Sequence, residues 1–374
     1  MYIRKNKALA IFALAMSTCL VLITSLASGC ALRSEPVGWS GVACSDSNIF
    51  VASIEGRLFG LNKSDGKPLW QSYQIQSSNN GVAVYSTPTV YQDLVYVAGY
   101  DGRVYTVSIE SGYRGLVFPD KDNLKPIIGG LSISDGKVFF GCNDGNVYCL
   151  NADELRKEWE FQTGDKVWST PVISEDTVFI SSFDHNIYAL DATDGTEKWH
   201  FEADGAFVST PIIYNDTLYV GCFDRHVYAI DAENGALKWR SEVEADKWFW
   251  SQIAAHNDVI YAPNLDGKIY ILNADSGYEE ADPVELDSPI SSSPVVVGSD
   301  IIVASQQGNV YALDTGNNRT GSPIFDVAED EMINAPLCSR DGIIYVHAQS
   351  SKHDTLYAFN IETRREVWEP VSLS

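Results

Sequence analysis

Five aspartates recur along the chain at one place in a repeated pattern: Asp101, Asp144, Asp184, Asp224 and Asp266. Carboxylates gathered in one spot can hold a hard cation, because calcium takes several oxygen ligands at once. These five are instead spread one per repeat. Each stands at a tight turn, where an aspartate bonds its own backbone two residues on. Turn chemistry is therefore the reading they support. The histidines are His185, His200, His226, His256, His347 and His353, and none has the spacing of a helical metal site. His185 and His226 fall in turns of adjacent repeats, one position out of step, which suits solvated turn residues better than a metal pair. No nucleophile elbow, phosphate-cradling loop or dinucleotide fingerprint is present. The sequence assigns no catalytic, cofactor-binding or metal residue.

The cysteines divide by position. Cys19 lies in an apolar N-terminal segment that ends at Cys30. Cys142 and Cys222 occupy one place in two repeats where Gly99 and Ser182 stand in others, and Cys149 replaces Ala189 and Ala229. These three read as small core residues with inert thiols. Cys44 and Cys338 fall on the first strands of the first and last repeats. Their registers are offset by one, which counts against a disulfide between them. No Cys-x-x-Cys occurs, so zinc and thioredoxin-like chemistry are unsupported.

Aromatic residues in the segments joining one repeat to the next are the stronger signal. Tyr85, Trp168, Phe207, Trp248, Phe249 and Trp250 stand there among Asp165, Lys166, Asp204, Asp246 and Lys247. Aromatic anchors within a charged rim are a recognised arrangement for binding a protein partner. The competing reading is that these rings pack beneath their own loops. Trp168 and Trp250 hold matching places just before an inner strand, which directs both toward a central mouth.

The elements behind these residues follow from the repeat. Segments such as DGNVYCLNADELRKEW, DHNIYALDATDGTEKW and DRHVYAIDAENGALKW align on one aromatic. In the eight copies this is Phe59, Tyr105, Tyr148, Tyr188, Tyr228, Tyr270, Tyr311 and Tyr357, at spacings of 40 to 46 residues. Each copy reads as four short strands, which in the fourth are STPVI, TVFIS, NIYAL and EKWHF. Asp-Gly turns separate the second strand from the third, and further Gly turns the third from the fourth. Four-stranded antiparallel units repeated radially close into a β-propeller. The expected fold is all-β, one eight-bladed propeller over residues 39–370, without a strand borrowed from the other terminus. Trp70, Trp159, Trp199, Trp239 and Trp368 share one place on the fourth strand, where an indole packs between blades and its N–H needs a partner.

Arg4, Lys5 and Lys7 precede an uncharged apolar run of export-signal form. The run ends in LASGC, which resembles the lipobox of bacterial lipoproteins, with Leu26 one residue further from the cysteine than is usual. That resemblance implies a signal peptide over 1–29, a lipid on Cys30 and a linker over 30–38. An uncleaved anchor and ordinary secretory cleavage are the alternatives, and all three put the bulk of the chain outside the cytoplasm. The net charge is −24. Loss of residues 1–29 removes three cations and no acid. Such a chain is repelled by nucleic acid, and no basic patch offsets this.

ALDATDGTEKW and AIDAENGALKW resemble the tryptophan-docking repeat of pyrroloquinoline quinone (PQQ) propellers, A-x-D-x-x-T-G-x-x-x-W, with Asp194 and Asn234 in place of the threonine. The Ser-Thr-Pro strands at Ser86, Ser169 and Ser209 are also typical of that family. One branch, the quinoprotein dehydrogenases, binds PQQ with calcium near the axis. Its members carry long insertions and a pair of adjacent cysteines that this chain lacks. Length, lipobox and blade count are more similar to the BamB-like branch of lipid-anchored propellers. That resemblance implies a non-enzymatic, cofactor-free and monomeric envelope scaffold, anchored to the cell membrane or outer membrane, that binds other envelope proteins. A PQQ enzyme and a small-ligand or polysaccharide sensor are the alternatives.

Overall fold

A computed structural model describes residues 38–77 and 80–373; the proposed signal peptide and Cys30 lie outside them. Its regular structure there is all strand: eight antiparallel blades at residues 43–74, 89–118, 132–162, 172–202, 212–240, 254–285, 295–326 and 338–372, and a separate two-stranded pairing of Gln76–Ser77 with Asn80–Gly81. Within each blade, sequence neighbours pair in order. In blade 4 the strands are Val172–Ser174, Thr177–Ser181, Asn186–Asp191 and Glu197–Glu202. This is the expected β-propeller, and every blade is built from contiguous sequence. In blades 7 and 8 the outer strand is broken into two short pieces, Arg319–Thr320 with Phe325–Asp326 and Arg365–Glu366 with Val371–Ser372.

Second and third strands are buried along most of their length, whereas outer strands alternate exposed and covered residues. The alternation presents one face of each blade to each neighbour. Eight apolar clusters result, one at each junction between blades. Blades 4 and 5, for instance, share Phe179, Ile187, Leu218, Val220 and Ile230.

The docking tryptophans behave as their position predicts. Each indole N–H donates to a carbonyl of the following blade: Trp70 to Ile109, Trp159 to Ala192, Trp199 to Ala232, Trp239 to Ala274 and Trp368 to Lys63. Each ring also lies on a glycine of that blade. A Cβ added to Gly112, Gly195, Gly235, Gly277 or Gly66 would fall 2.5–2.8 Å from the indole. Where the docking place holds Leu116, Ala281 or Ser322, the facing turn residue is not glycine. Leu155, Asn318 and Arg364 stand there, still in the left-handed region. The glycine thus answers the approach of the ring as well as the turn.

Blade 8 meets blade 1 through the Trp368 contact and through Lys63–Asp341 and Arg340–Asp46 ion pairs. A buried pair lies at the same junction. His347 Nδ1 is 2.7 Å from the Ser40 carbonyl, and its Nε2 is 2.9 Å from Asp354, which also accepts the Ile54 N–H. Cys44 and Cys338 are joined as a disulfide across this junction, their Cα atoms 6.7 Å apart. The expectation from register is therefore corrected. First strands of adjacent blades share no hydrogen-bonded ladder, so equal counts along the two do not dictate which residues face each other.

Candidate functional site

The repeated aspartates serve the turns and something more. In blades 3 to 6, one carboxylate oxygen of Asp144, Asp184, Asp224 or Asp266 accepts the N–H two residues on. In blades 2 to 6 the other accepts the hydroxyl of the repeat's own tyrosine, from Tyr105–Asp101 to Tyr270–Asp266, at 2.5–2.9 Å. Blade 8 reaches the same end by a different route: Tyr357 donates to Glu331, which comes from the loop before the blade. Burial, and then the facing carboxylate, push these tyrosine hydroxyls well above their ordinary pKa. Among the described residues no three or more His, Cys, Asp or Glu side chains gather as a metal site.

On the loop side of blades 4 to 6 an aromatic band forms. Trp168 precedes the first strand of blade 4 and Trp250 that of blade 6, yet their centroids lie 6.3 Å apart. They reach toward one another past blade 5. Phe183 packs on Trp168 at 4.7 Å, and Phe223 stacks on Trp248 at 5.0 Å and on Trp250 at 6.1 Å. Lys166 places its ammonium 4.9 Å from the Trp168 centroid and 4.3 Å from Phe183, a cation–π arrangement. The Trp168 indole is fixed by donating to Asn143 at 2.7 Å. Trp248 is the most open ring, at 38% exposure.

Phe183 and Phe223 were not singled out in the sequence. Each stands immediately before a repeated aspartate, at a place filled elsewhere by Tyr100, Asn143, Leu265 and Gln306. That variability at a fixed position was the available signal. The turns bearing them put His185 and Arg225 at φ 76°, where blades 2, 3 and 6 have glycine.

Two of the sequence candidates are corrected. Phe207 and Phe249 are 0% and 1% exposed, and each is edge-on to a blade tyrosine, Tyr228 or Tyr270. They belong to the apolar clusters between blades 4 and 5 and between blades 5 and 6. Alternation explains this: each lies one residue away from a mouth-facing place, so it turns inward. Tyr85 is half-buried in a second aromatic group, 4.5 Å from Trp39 and 5.5 Å from Tyr100.

A pocket of about 620 Å³ is lined from blades 2 to 8 by Thr87, Thr89, Ser132, Thr170, Thr210, Gln252, Ser293 and Pro336, with no charged residue in its wall. Its hydroxyls tie the ring together. Thr170 accepts the Gly130 N–H, Thr210 the Thr170 N–H and Ser293 the Gln252 N–H, at 2.8–3.2 Å. Cys142, Cys149 and Cys222 are buried free thiols. Burial pushes the first two up to about 12 and the third higher still, which fits the inert reading.

Residues 26–160 and 143–370 match the family model described as outer membrane protein assembly factor BamB. A curated protein of that name from Burkholderia pseudomallei (strain K96243) is 31% identical over 134 residues, 34% of this chain. The match spans 30% of that relative's length. Among solved structures, BamB from Moraxella catarrhalis superposes with a TM-score of 0.70 at 18% identity, covering 87% of this chain and 97% of that one. The computationally designed Ika8 protein superposes with a TM-score of 0.70 at 14% identity, over 86% and 98%. At such identities the two structures share the fold.

Proposed function

We propose that this chain, which belongs to the family of the outer membrane protein assembly factor BamB, is a protein-binding scaffold of the cell envelope that grips its partner through the aromatic band. The observation that carries this reading is the meeting of Trp168, Phe183, Phe223, Trp248 and Trp250 on loops of a rigid ring. Half-buried rings held by one another lose little conformational freedom on binding, so most of their contact area becomes affinity. Lys166, Asp246 and Lys247 at the rim would set orientation and selectivity. In this reading the propeller acts as a monomer over residues 39–370, without cofactor or catalytic residue. A lipid on Cys30 would hold it outside the cytoplasm, at the cell membrane or outer membrane. Its partners are envelope proteins that assemble outer-membrane proteins, as the family's name indicates.

The test is in-cell cross-linking of the tagged full-length chain, followed by recovery from membranes. Recovery of outer-membrane assembly components, lost in a Trp248→Ala/Trp250→Ala variant with unchanged melting temperature, supports the reading. Two central anchors at about 2 kcal/mol each correspond to roughly a 1,000-fold loss of capture when their effects add, and about 30-fold for either alone. Unchanged capture by that variant removes the aromatic band from the function. Saturable binding of PQQ with calcium, with dye-linked oxidation of an alcohol or sugar, would replace the scaffold with a quinoprotein.

A further inference from the structure

Seven of the eight junctions between blades are spanned by the peptide chain. The junction of blade 8 with blade 1 is not, because these are the last and first blades in sequence. Closing the ring there brings together residues about 300 positions apart, an entropic cost that the other junctions do not meet. The added contacts fall at this junction. Trp368 docks on Lys63 and Gly66, ion pairs join Lys63 to Asp341 and Arg340 to Asp46, and the buried His347–Asp354 pair holds Ser40 and Ile54. One tie is covalent: Cys44 is bonded to Cys338 across a separation of 294 residues.

We infer that the Cys44–Cys338 bond is a closure lock formed after the chain has folded outside the cytoplasm, and that maturation of this protein includes oxidation by a thiol–disulfide oxidoreductase. The inference rests on the export reading of the N-terminal segment. The two thiols come together only once the first and last blades are docked, so the bond follows folding. Disulfides persist in extracytoplasmic compartments and are reduced in the cytosol. A chain exported unfolded therefore crosses with both thiols free and is locked on the far side. Cys44 and Cys338 are half-buried, within reach of an exchanging thiol, while Cys142, Cys149 and Cys222 are fully buried in the core. The folded ring so presents the correct pair and withholds the other three.

The chemistry balances as thiol–disulfide exchange. A thiolate of the pair attacks the disulfide of an oxidised dithiol carrier, forming a mixed disulfide and freeing one carrier thiol. The second cysteine's thiolate attacks the chain's sulfur in that mixed disulfide, closes Cys44–Cys338 and frees the second carrier thiol. The chain loses two electrons and two protons, and the carrier gains both.

The test isolates the full-length chain from the envelope with free thiols blocked, then maps its peptides without reduction. A peptide joining Cys44 to Cys338 is expected, together with accumulation of the blocked thiols when cells lack envelope dithiol-oxidase activity. Dithiothreitol should lower the melting temperature by roughly 3–6 °C. A Cys44→Ser/Cys338→Ser variant should melt at that lower temperature and ignore the reductant. Free thiols at both positions in the envelope protein would overturn the inference, as would a melting temperature indifferent to reductant. Either result leaves the aromatic band untouched, because partner capture is read separately.

Discussion

Tyr228 and its counterparts show how one residue type serves the fold while resembling a site. Each donates its hydroxyl to a carboxylate beside it, and burial disfavours the phenolate. The folded pKa of these tyrosines lies above the unfolded value of about 10. A raised pKa gives stability that is fully present below the unfolded value and lost as pH rises through the folded one. The melting temperature should therefore hold to about pH 9 and fall progressively above pH 10. The clamped tyrosines should ionise with unfolding rather than before it, so tyrosinate absorbance should show a cooperative step that coincides with loss of structure. Tyr228→Phe should cost about 1 kcal/mol near neutrality, by orphaning one Asp224 oxygen, and should make the alkaline decline shallower. A decline unaltered by that substitution would separate the clamp from alkaline stability. The His347–Asp354 pair tests the opposite limit. Its side chains are 1% and 0% exposed. His347→Ala removes the hydrogen bonds to Ser40 and Asp354 and leaves a cavity beside a buried carboxyl, and should cost about 3–5 kcal/mol in chemical denaturation. A loss under 1 kcal/mol would mean that the junction repacks without the pair.

At the scale of the strand and turn, the docking tryptophan is the unit of adhesion between blades. Trp199→Ala should cost about 3–5 kcal/mol. Gly235→Ala should destabilise as well, because the turn keeps a left-handed φ of 74° and the new methyl meets the Trp199 ring. Combining the two should cost less than their sum, since the cavity left by the indole admits the methyl; additive losses in a double-mutant cycle would refute the coupling. This device was legible because Trp and Gly recur at fixed offsets from the repeat aromatic. Strand order and turn positions were legible for the same reason. The site was less so. Trp168, Trp248 and Trp250 were found because they break the pattern of the linkers. Phe207 and Phe249 were misplaced because alternation through an irregular loop cannot be phased from sequence. Phe183 and Phe223 were missed because adjacent blades bring them to Trp168 and Trp248, and nothing in their own repeats indicates it. The Cys44–Cys338 bond was misjudged because counting along strands says little where no ladder links them.

The ring as a whole has junctions of unequal strength. Blades 1, 3, 4, 5 and 8 each send a tryptophan into the next blade, whereas blades 2, 6 and 7 present Leu116, Ala281 and Ser322 at that place. The junctions after blades 6 and 7 are consecutive, and the outer strands of blades 7 and 8 are each broken into two pieces. The junction after blade 8 is the most heavily tied, by the disulfide, an indole and the buried pair. A closed ring cannot open at one junction without loading the rest, so local opening should begin where docking is weakest. Hydrogen exchange under native conditions reads such openings segment by segment. The pieces Arg319–Thr320 and Phe325–Asp326 should exchange fastest among the outer strands. Glu197–Glu202 and Leu237–Arg240, each carrying a docked tryptophan, should be slowest. Reduction of the disulfide should speed exchange in blades 1 and 8 and leave Glu197–Glu202 unchanged. Uniform exchange across all eight outer strands would show that the ring opens only as one cooperative unit. The aromatic band, carried by blades 4 to 6, borders the three junctions of blades 3 to 6 that are closed by successive tryptophans. The sector of the ring docked by three successive tryptophans is thus the one that presents the surface proposed to bind.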